Sequence, residues 1–293
     1  MSQKIAWIGA GKMGLPICQR LKAAGHDVMA LARSPERSKT LSELGLAVAD
    51  NVQDLIRSAD IVFTAVTDDQ ALADIVLTKD FSAALHPSSV FIDMSTVSPL
   101  ISEKIARHLP RSNAYLRAPV SGSTAMAEAG TLTALVSGPK SAFEDMAGIF
   151  AAFARKAFHV GEAEEARYLK LAINSMVAAT SALLGEALAF GLKGGLSHAD
   201  MLEVITQSAV ASPLIGYKRD MIISGDYKPA ATLNMLKKDL DLLLSAAQAL
   251  QAPLPVNSMI RDIYAAATER GLGERDFFVL VQEAERAASA SVR

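Results

Sequence analysis

The sequence predicts an α/β fold class: a doubly wound, mostly parallel sheet in its first half, then an all-helical second half. Three observations carry this. Apolar runs of strand length alternate with helix-length patterns over residues 1–161. A glycine-rich turn joins the first such pair. From about Glu162 onward strand signals vanish, and Ala, Leu, Glu and Lys dominate. The expected domains are therefore 1–161 and 162–293.

Lys4-Ile5-Ala6-Trp7-Ile8 reads as the first strand. Gly9-Ala10-Gly11-Lys12-Met13-Gly14 follows at once, and a helix with Ile17, Leu21 and Ala24 on one face comes next. A GxGxxG placed between strand and helix is the dinucleotide fingerprint of a Rossmann fold. Gly9 permits the tight turn, Gly11 lets backbone approach a pyrophosphate, and Gly14 lets helix and strand pack closely. The helix N-terminus offers free N–H groups and a positive dipole to phosphate.

Asp27–Leu31 is the second strand. An NAD site would place a carboxylate at its end to bond the ribose 2′-hydroxyl. The stretch here is Ala32-Arg33-Ser34-Pro35-Glu36-Arg37. Arg33 and Arg37 can grip a phosphate and Ser34 can add a hydroxyl donor. NADP(H) is thus expected in preference to NAD(H), although Glu36 could instead pair with an arginine. Further strands are expected at Ile61–Ala65, Val90–Asp93, Ala114–Ala118, Thr133–Ser137 and Ala157–His159. The ligand crevice of such a sheet lies at the carboxyl ends of its strands, so Val66 joins the expected cofactor set.

In the second half, helix breaks are expected near Gly194-Gly195, Ser212-Pro213, Gly225, Pro253–Pro255 and Gly271–Gly273. The long helix from about Glu164 to Gly194 carries Met176, Val177, Ala179, Leu183, Leu184, Leu188 and Phe190 around much of its surface. A helix apolar all round is expected to be buried, in a homodimer or homotetramer or under a wrapped domain. At its head Lys170 and Asn174 stand four residues apart, on one face. Leu169, Leu171 and Ile173 would partly dehydrate the amine and favour its neutral form. Taken alone, such a Lys could equally be a solvated side chain at a helix end.

Composition narrows the function classes. Hydrophobic residues make up 51% of 293 and the net charge is −2, which gives no basic field for nucleic acid. The apolar stretch Met176–Leu184 is short and interrupted for a membrane span. Cys18 is the single cysteine, and five histidines are scattered without ligand spacing, so no metal site is expected. A cytoplasmic location is expected from the cysteine usage and from an N-terminus that runs straight into a strand.

With these residues in hand, the chain resembles the β-hydroxyacid dehydrogenase family nearly end to end. That family includes 3-hydroxyisobutyrate dehydrogenase, tartronate semialdehyde reductase and glyoxylate/succinic semialdehyde reductase, with 6-phosphogluconate dehydrogenase more distant. Four motifs stand in family order: Gly9–Gly14, Asp93-Met94-Ser95-Thr96, Ala118-Pro119-Val120-Ser121-Gly122-Ser123, and Lys170 with Asn174. The resemblance implies a Rossmann domain and an all-α domain, as in 6-phosphogluconate dehydrogenase. It places Thr96 at the nicotinamide end of the cofactor. Ser121 and Gly122 hold a substrate carboxylate, with Ser123 beside them. Lys170 is the proton-transfer residue and Asn174 a substrate contact. In Leu236-Lys237-Lys238-Asp239-Leu240, Lys238 would reach the cofactor and Asp239 line the pocket.

Several positions depart from the family pattern. Arg117 stands where the family usually has Asp, Ser123 replaces a glycine, and Gly161-Glu162-Ala163-Glu164-Glu165-Ala166 is glycine-poor. Ala231 occupies a place where Phe is frequent. Arg117 is expected either to meet a second acidic group of the substrate or to pair with a nearby Glu. Ala231 should enlarge the pocket, so a longer or bulkier acid is expected. The resemblance thus implies an NADPH-dependent reductase of a small acidic aldehyde or oxo acid, reversible as a dehydrogenase. An imine reductase and a non-catalytic NADPH-binding module are the alternatives.

Overall fold

The computed structural model describes residues 2–32 and 34–290. The chain divides into two compact units, Met1–Lys170 and Leu171–Arg293.

Among the described residues the first unit is built on nine strands: β1 Lys4–Ile8, β2 Asp27–Leu31, β3 Ala47–Ala49, β4 Ile61–Thr64, β5 Val90–Asp93, β6 Ala114–Arg117, β7 Val120–Ser121, β8 Leu132–Ser137 and β9 Ala154–Gly161. Their order is β3-β2-β1-β4-β5-β6-β8-β7, with β9 beside β8. Strands β1 to β6 run parallel; β8 turns antiparallel to β6 and β7. Alternation along β1 explains why both faces are covered. Ile5 and Trp7 enter one core with Ile17, Leu21, Phe63 and Leu116, and Ala6 and Ile8 enter the other with Val62, Phe91 and Ile105. Trp7 stacks on Phe63 with ring centroids 4.8 Å apart. Because β1 lies between β2 and β4, the strand order reverses there, and the turns after β1 and β4 open at a topological switch point.

In the second unit the described residues form helices Glu165–Lys193 (begun in the first unit), His198–Ile205, Pro213–Ser224, Leu233–Ala249, Pro255–Ala267 and Leu280–Ala290. Breaks at Gly195, Ser212-Pro213 and Gly225 follow from a glycine at positive φ, a capping serine before proline, and a left-handed C-cap. The core gathers Leu184, Leu188, Leu202, Tyr264 and Phe278. Inside it, Lys218 Nζ meets Asp276 Oδ2 at 2.6 Å.

Within the single chain the long helix is buried along one face. By length and mean hydropathy alone it could cross a membrane. One face, with Ala178, Leu184 and Leu188, packs in the helical core. The other leaves Met176 71%, Leu183 69% and Phe190 82% exposed in the single chain.

Candidate functional site

The turn after β1 is shaped by its glycines. Gly9 adopts φ +97°, and a Cβ there would collide with the Ala65 carbonyl. A Cβ on Gly14 would lie 2.5 Å from the Gly9 carbonyl oxygen and 2.8 Å from Trp7 Nε1. Gly11 faces open space, with nothing within 4 Å of its Cβ position. The helix Gly14–Ala23 begins at Met13 with no side-chain cap and no acidic residue in its first turn. Its leading N–H groups therefore carry positive potential without an internal anion. They border a cavity of about 730 Å³ lined by Gly9, Ala10, Gly11, Lys12, Arg37 and Val66, among others. A dinucleotide's diphosphate fits this geometry, because Gly11, the turn glycine with room beside it, faces the open side.

At the end of β2 the structure redistributes the expected phosphate ligands. Arg33 lies outside the described residues. Ser34 caps the helix Pro35–Glu43, accepting the Arg37 N–H at 3.2 Å. The Ser34 hydroxyl, with the backbone, also holds the Glu36 carboxyl below its ordinary range. The Arg37 guanidinium donates through Nη2 to the Ala10 carbonyl, so it braces the glycine turn as well as facing the cavity.

Beyond β4 and β5 the turns are tied together. Val66 N–H donates to Ser95 Oγ at 2.9 Å, which places Thr96, one residue on and half-buried, on a fixed segment. Asp93 accepts Thr64 Oγ1 and Ser95 Oγ, each at 2.6 Å, and pairs with Arg167. Arg167 is buried and donates further to the Ser95 carbonyl at 2.7 Å and Tyr115 Oη at 3.1 Å. Burial opposes its charge, but Asp93 and Tyr115 hold its pKa above the ordinary value. Burial in turn pushes the Tyr115 phenol up.

Ser121 ends the short β7, and Gly122 turns the chain at φ +139°. A Cβ there would meet Leu132 Cδ2 at 2.7 Å. Ser123 caps the helix Thr124–Ala129, accepting the Met126 N–H at 3.4 Å. Of the two partners expected for Arg117, the structure shows the Glu: Arg117 is buried, paired with Glu164 and lies 4.1 Å over the Tyr115 ring. A guanidinium in low dielectric demands a counter-charge, and Glu164 supplies it. The glycine-poor turn is thereby explained. Glu164 answers Arg117, and Glu165 Oε2 accepts the Ala163 N–H at 2.7 Å. Lys170 follows in the second turn of the same helix, half-buried.

In the second unit Asn174 Nδ2 donates to Asp239 Oδ2 at 2.6 Å, and Lys238 Nζ lies 2.9 Å from Asp239 Oδ1. Asp239 is buried. Ala231 is half-buried against the helical core, and its carbonyl accepts the Phe277 N–H at 3.3 Å. Among the described residues there is no cluster of three potential metal ligands.

Sequence reasoning did not single out Asp93, Tyr115, Glu164 or Arg167 as a unit. The available signal was an arginine three residues before Lys170 on an apolar helix, which needs a buried partner.

Residues 4–161 match the NAD binding domain of 6-phosphogluconate dehydrogenase, and residues 165–283 match the NAD-binding segment of NADP-dependent 3-hydroxyisobutyrate dehydrogenase. The chain belongs to the β-hydroxyacid dehydrogenase family. Among family relatives, 2-(hydroxymethyl)glutarate dehydrogenase of Eubacterium barkeri is 30% identical over 99% of this chain and 98% of its own. NAD-dependent L-serine dehydrogenase of Pseudomonas aeruginosa is 31% identical over 95% of this chain and 96% of its own. Cytokine-like nuclear factor N-PAC of Anopheles gambiae is 30% identical over 93% of this chain, which spans only 49% of that relative. The β-hydroxyacid dehydrogenase structure of Mycobacterium tuberculosis 3-hydroxyisobutyrate dehydrogenase with L-serine superposes at TM-score 0.86 and 27% identity, covering 97% of this chain and 99% of its own. An imine reductase of Myxococcus stipitatus shares the fold at TM-score 0.59 and 21% identity, over 96% of this chain and 99% of its own.

Proposed function

We propose that this protein is an NADP(H)-dependent oxidoreductase that interconverts a small carboxylate-bearing aldehyde or oxo acid and its hydroxy acid. The observation that carries the reading is an open, uncapped glycine turn in the same unit that ends in Lys170. A dinucleotide-binding relative without catalysis has no evident need for that amine.

The nicotinamide, when bound, supplies the hydride. Gly9, Gly11 and the helix N-terminus would receive the diphosphate. Arg37 and Ser34, with no carboxylate at the end of β2, favour a 2′-phosphate, although relatives are named for both cofactors. Backbone and hydroxyl donors of Ser121 and Gly122 would hold the substrate carboxylate, which stays desolvated only with several donors. In reduction, Lys170 Nζ gives a proton to the developing alkoxide; in oxidation it takes the hydroxyl proton. Asn174, its amide orientation fixed by Asp239, would bond the substrate oxygen. Ala231, in place of the ring that the family often carries there, would favour a longer or bulkier acid.

The test is an NADPH-oxidation panel with wild type and Lys170→Ala. It would cover glyoxylate, succinic semialdehyde, methylmalonate semialdehyde, tartronate semialdehyde, bulkier oxo acids and a cyclic imine. Turnover of an acidic carbonyl that collapses by about a hundredfold or more in Lys170→Ala supports the reading. Turnover of the imine alone, or activity indifferent to Lys170, overturns it. Tight NADPH binding with no turnover would point to the non-catalytic module.

A further inference from the structure

Glu164 and Arg117 stand 47 residues apart in sequence, and each precedes a residue to which the proposed function gives a role. Arg117 ends β6, four residues before Ser121; Glu164 opens the long helix, six residues before Lys170. Their side chains are each only 7% exposed. A second tether runs beside the first. Ser137, opposite Arg117 in the β6–β8 pairing, donates its hydroxyl to the Ala163 carbonyl at 2.7 Å and accepts the Ala166 N–H at 3.2 Å. The helix start is thus fastened to the end of β6, which feeds the Ser121–Gly122 turn, and to Ser137 at the neighbouring end of β8.

The connection onward is stiff on both sides. From Arg117, Ala118 N–H bonds to the Asp93 carbonyl at 2.7 Å, and the Pro119 carbonyl accepts the Leu135 N–H at 3.0 Å. From Glu164, the backbone carbonyl accepts the N–H groups of Arg167 at 2.9 Å and Tyr168 at 3.2 Å, so it starts the helical ladder that carries Lys170. Tyr115 joins the pair to the second buried charge system, its ring under Arg117 and its hydroxyl on Arg167. Arg117 Nε and Glu164 Oε2 make no hydrogen bond among the described residues, and Arg117 Nη1 donates to the Tyr115 carbonyl at 3.4 Å, so the bond from Nη2 to Oε1 is what joins the two side chains.

We propose that Arg117 and Glu164 are positioning residues: their ion pair fixes where Lys170 stands relative to the Ser121–Gly122 turn. The consequence for turnover rests on the proposed function. The cofactor turn after β1 makes no contact with the pair in any bond described above, so NADPH affinity should be spared.

The experiment compares Arg117→Met, Glu164→Gln, the double neutral variant and the swapped pair Arg117→Glu with Glu164→Arg. Four quantities are read: NADPH affinity by fluorescence, kcat and KM on the best acidic carbonyl, and the rate at which Lys170 reacts with an acylating reagent, mapped by peptide mass spectrometry. Each single variant should lower kcat by about tenfold or more while KM moves less than about threefold, because misplacement costs rate before binding. Lys170 labelling should change by about threefold or more, and the second neutral substitution should add less than about twofold to the first. Single variants that bind NADPH as wild type does and keep both kcat and Lys170 labelling overturn the proposal. If wild type turns over no acidic carbonyl, the proposed function fails, while the labelling arm still decides the positioning role. Should Arg117→Met not fold, Glu164→Gln removes the ion pair from the other side; wild-type Lys170 labelling in that variant overturns the proposal equally.

Discussion

Asn174 and Asp239 hold one another through a 2.6 Å hydrogen bond from amide Nδ2 to carboxylate Oδ2, although 65 residues separate them. The bond decides which way the amide faces, since Asp239 can only accept. Lys238 balances the remaining carboxylate oxygen at 2.9 Å. A hydrogen bond to a charged group contributes about 1.5–3 kcal/mol, and Asp239→Ala should lower unfolding stability by about that amount in urea titrations. Turnover should fall by about tenfold or more with little change in NADPH affinity, since the amide loses its fixed orientation. Unchanged kcat in a folded Asp239→Ala would remove Asn174 from the proposed site.

Gly122 offers a sharper test of the carboxylate turn. Its φ of +139° is one that L side chains rarely adopt, and a Cβ would sit 2.7 Å from Leu132 Cδ2. Gly122→Ala should therefore displace the Ser121–Gly122 donors, raising KM for the acidic substrate by about tenfold or more. NADPH titrations should be unaffected. A wild-type KM would mean that the carboxylate is held elsewhere.

Arg37 should couple the two ends of the cofactor site. Because its guanidinium reaches the Ala10 carbonyl, Arg37→Ala loosens the glycine turn as well as removing a cation. We expect NADPH affinity to fall by about tenfold or more and NADH affinity by about twofold to threefold. Equal losses for both would place the 2′-phosphate discrimination outside Arg37.

Much of this arrangement was legible before the structure. The strands β1, β2, β4 and β5 declared themselves as apolar runs, and the glycine turn declared its neighbours. Strand β3 did not, because Ala47-Val48-Ala49 is a three-residue edge with no run to read. Nor did the fate of Arg117. Its two expected partners, a substrate acid or a nearby Glu, differ only in tertiary position, and Glu164 becomes near only when β6 and the long helix are brought together. Asp93 and Arg167 show the same limit: neither points to the other in sequence, and only their mutual burial makes them a frame.

Acid should loosen the start of the long helix. Burial pushes the Glu165 carboxyl up, but the N–H groups of Glu165, Ala163 and Glu162 outweigh it and hold the group below 4.5. A carboxyl lowered in the folded state stabilises above its unfolded pKa, and the contribution is lost as pH falls through the folded value. Glu165→Gln should thus be less stable than wild type near neutral pH by about 0.5 kcal/mol, the figure discounted for solvent screening. The difference should close below the ordinary glutamate range. A gap that is constant with pH would assign the loss to packing.

The exposed face of the long helix makes the last prediction. Met176, Leu183 and Phe190 recur every seven residues, so they form one stripe down one side of the helix. Leaving such side chains in water forgoes about 1.5–3 kcal/mol apiece, so covering the stripe is favoured. A second copy is the partner we expect, giving a homodimer or homotetramer. Light scattering should show an oligomer whose mass falls toward 31.0 kDa in Leu183→Glu with Phe190→Glu. Because the stripe begins six residues after Lys170 on one continuous helix, loss of the oligomer should also reduce kcat. A wild type that stays monomeric at every concentration would leave the stripe to a different partner and sever it from catalysis.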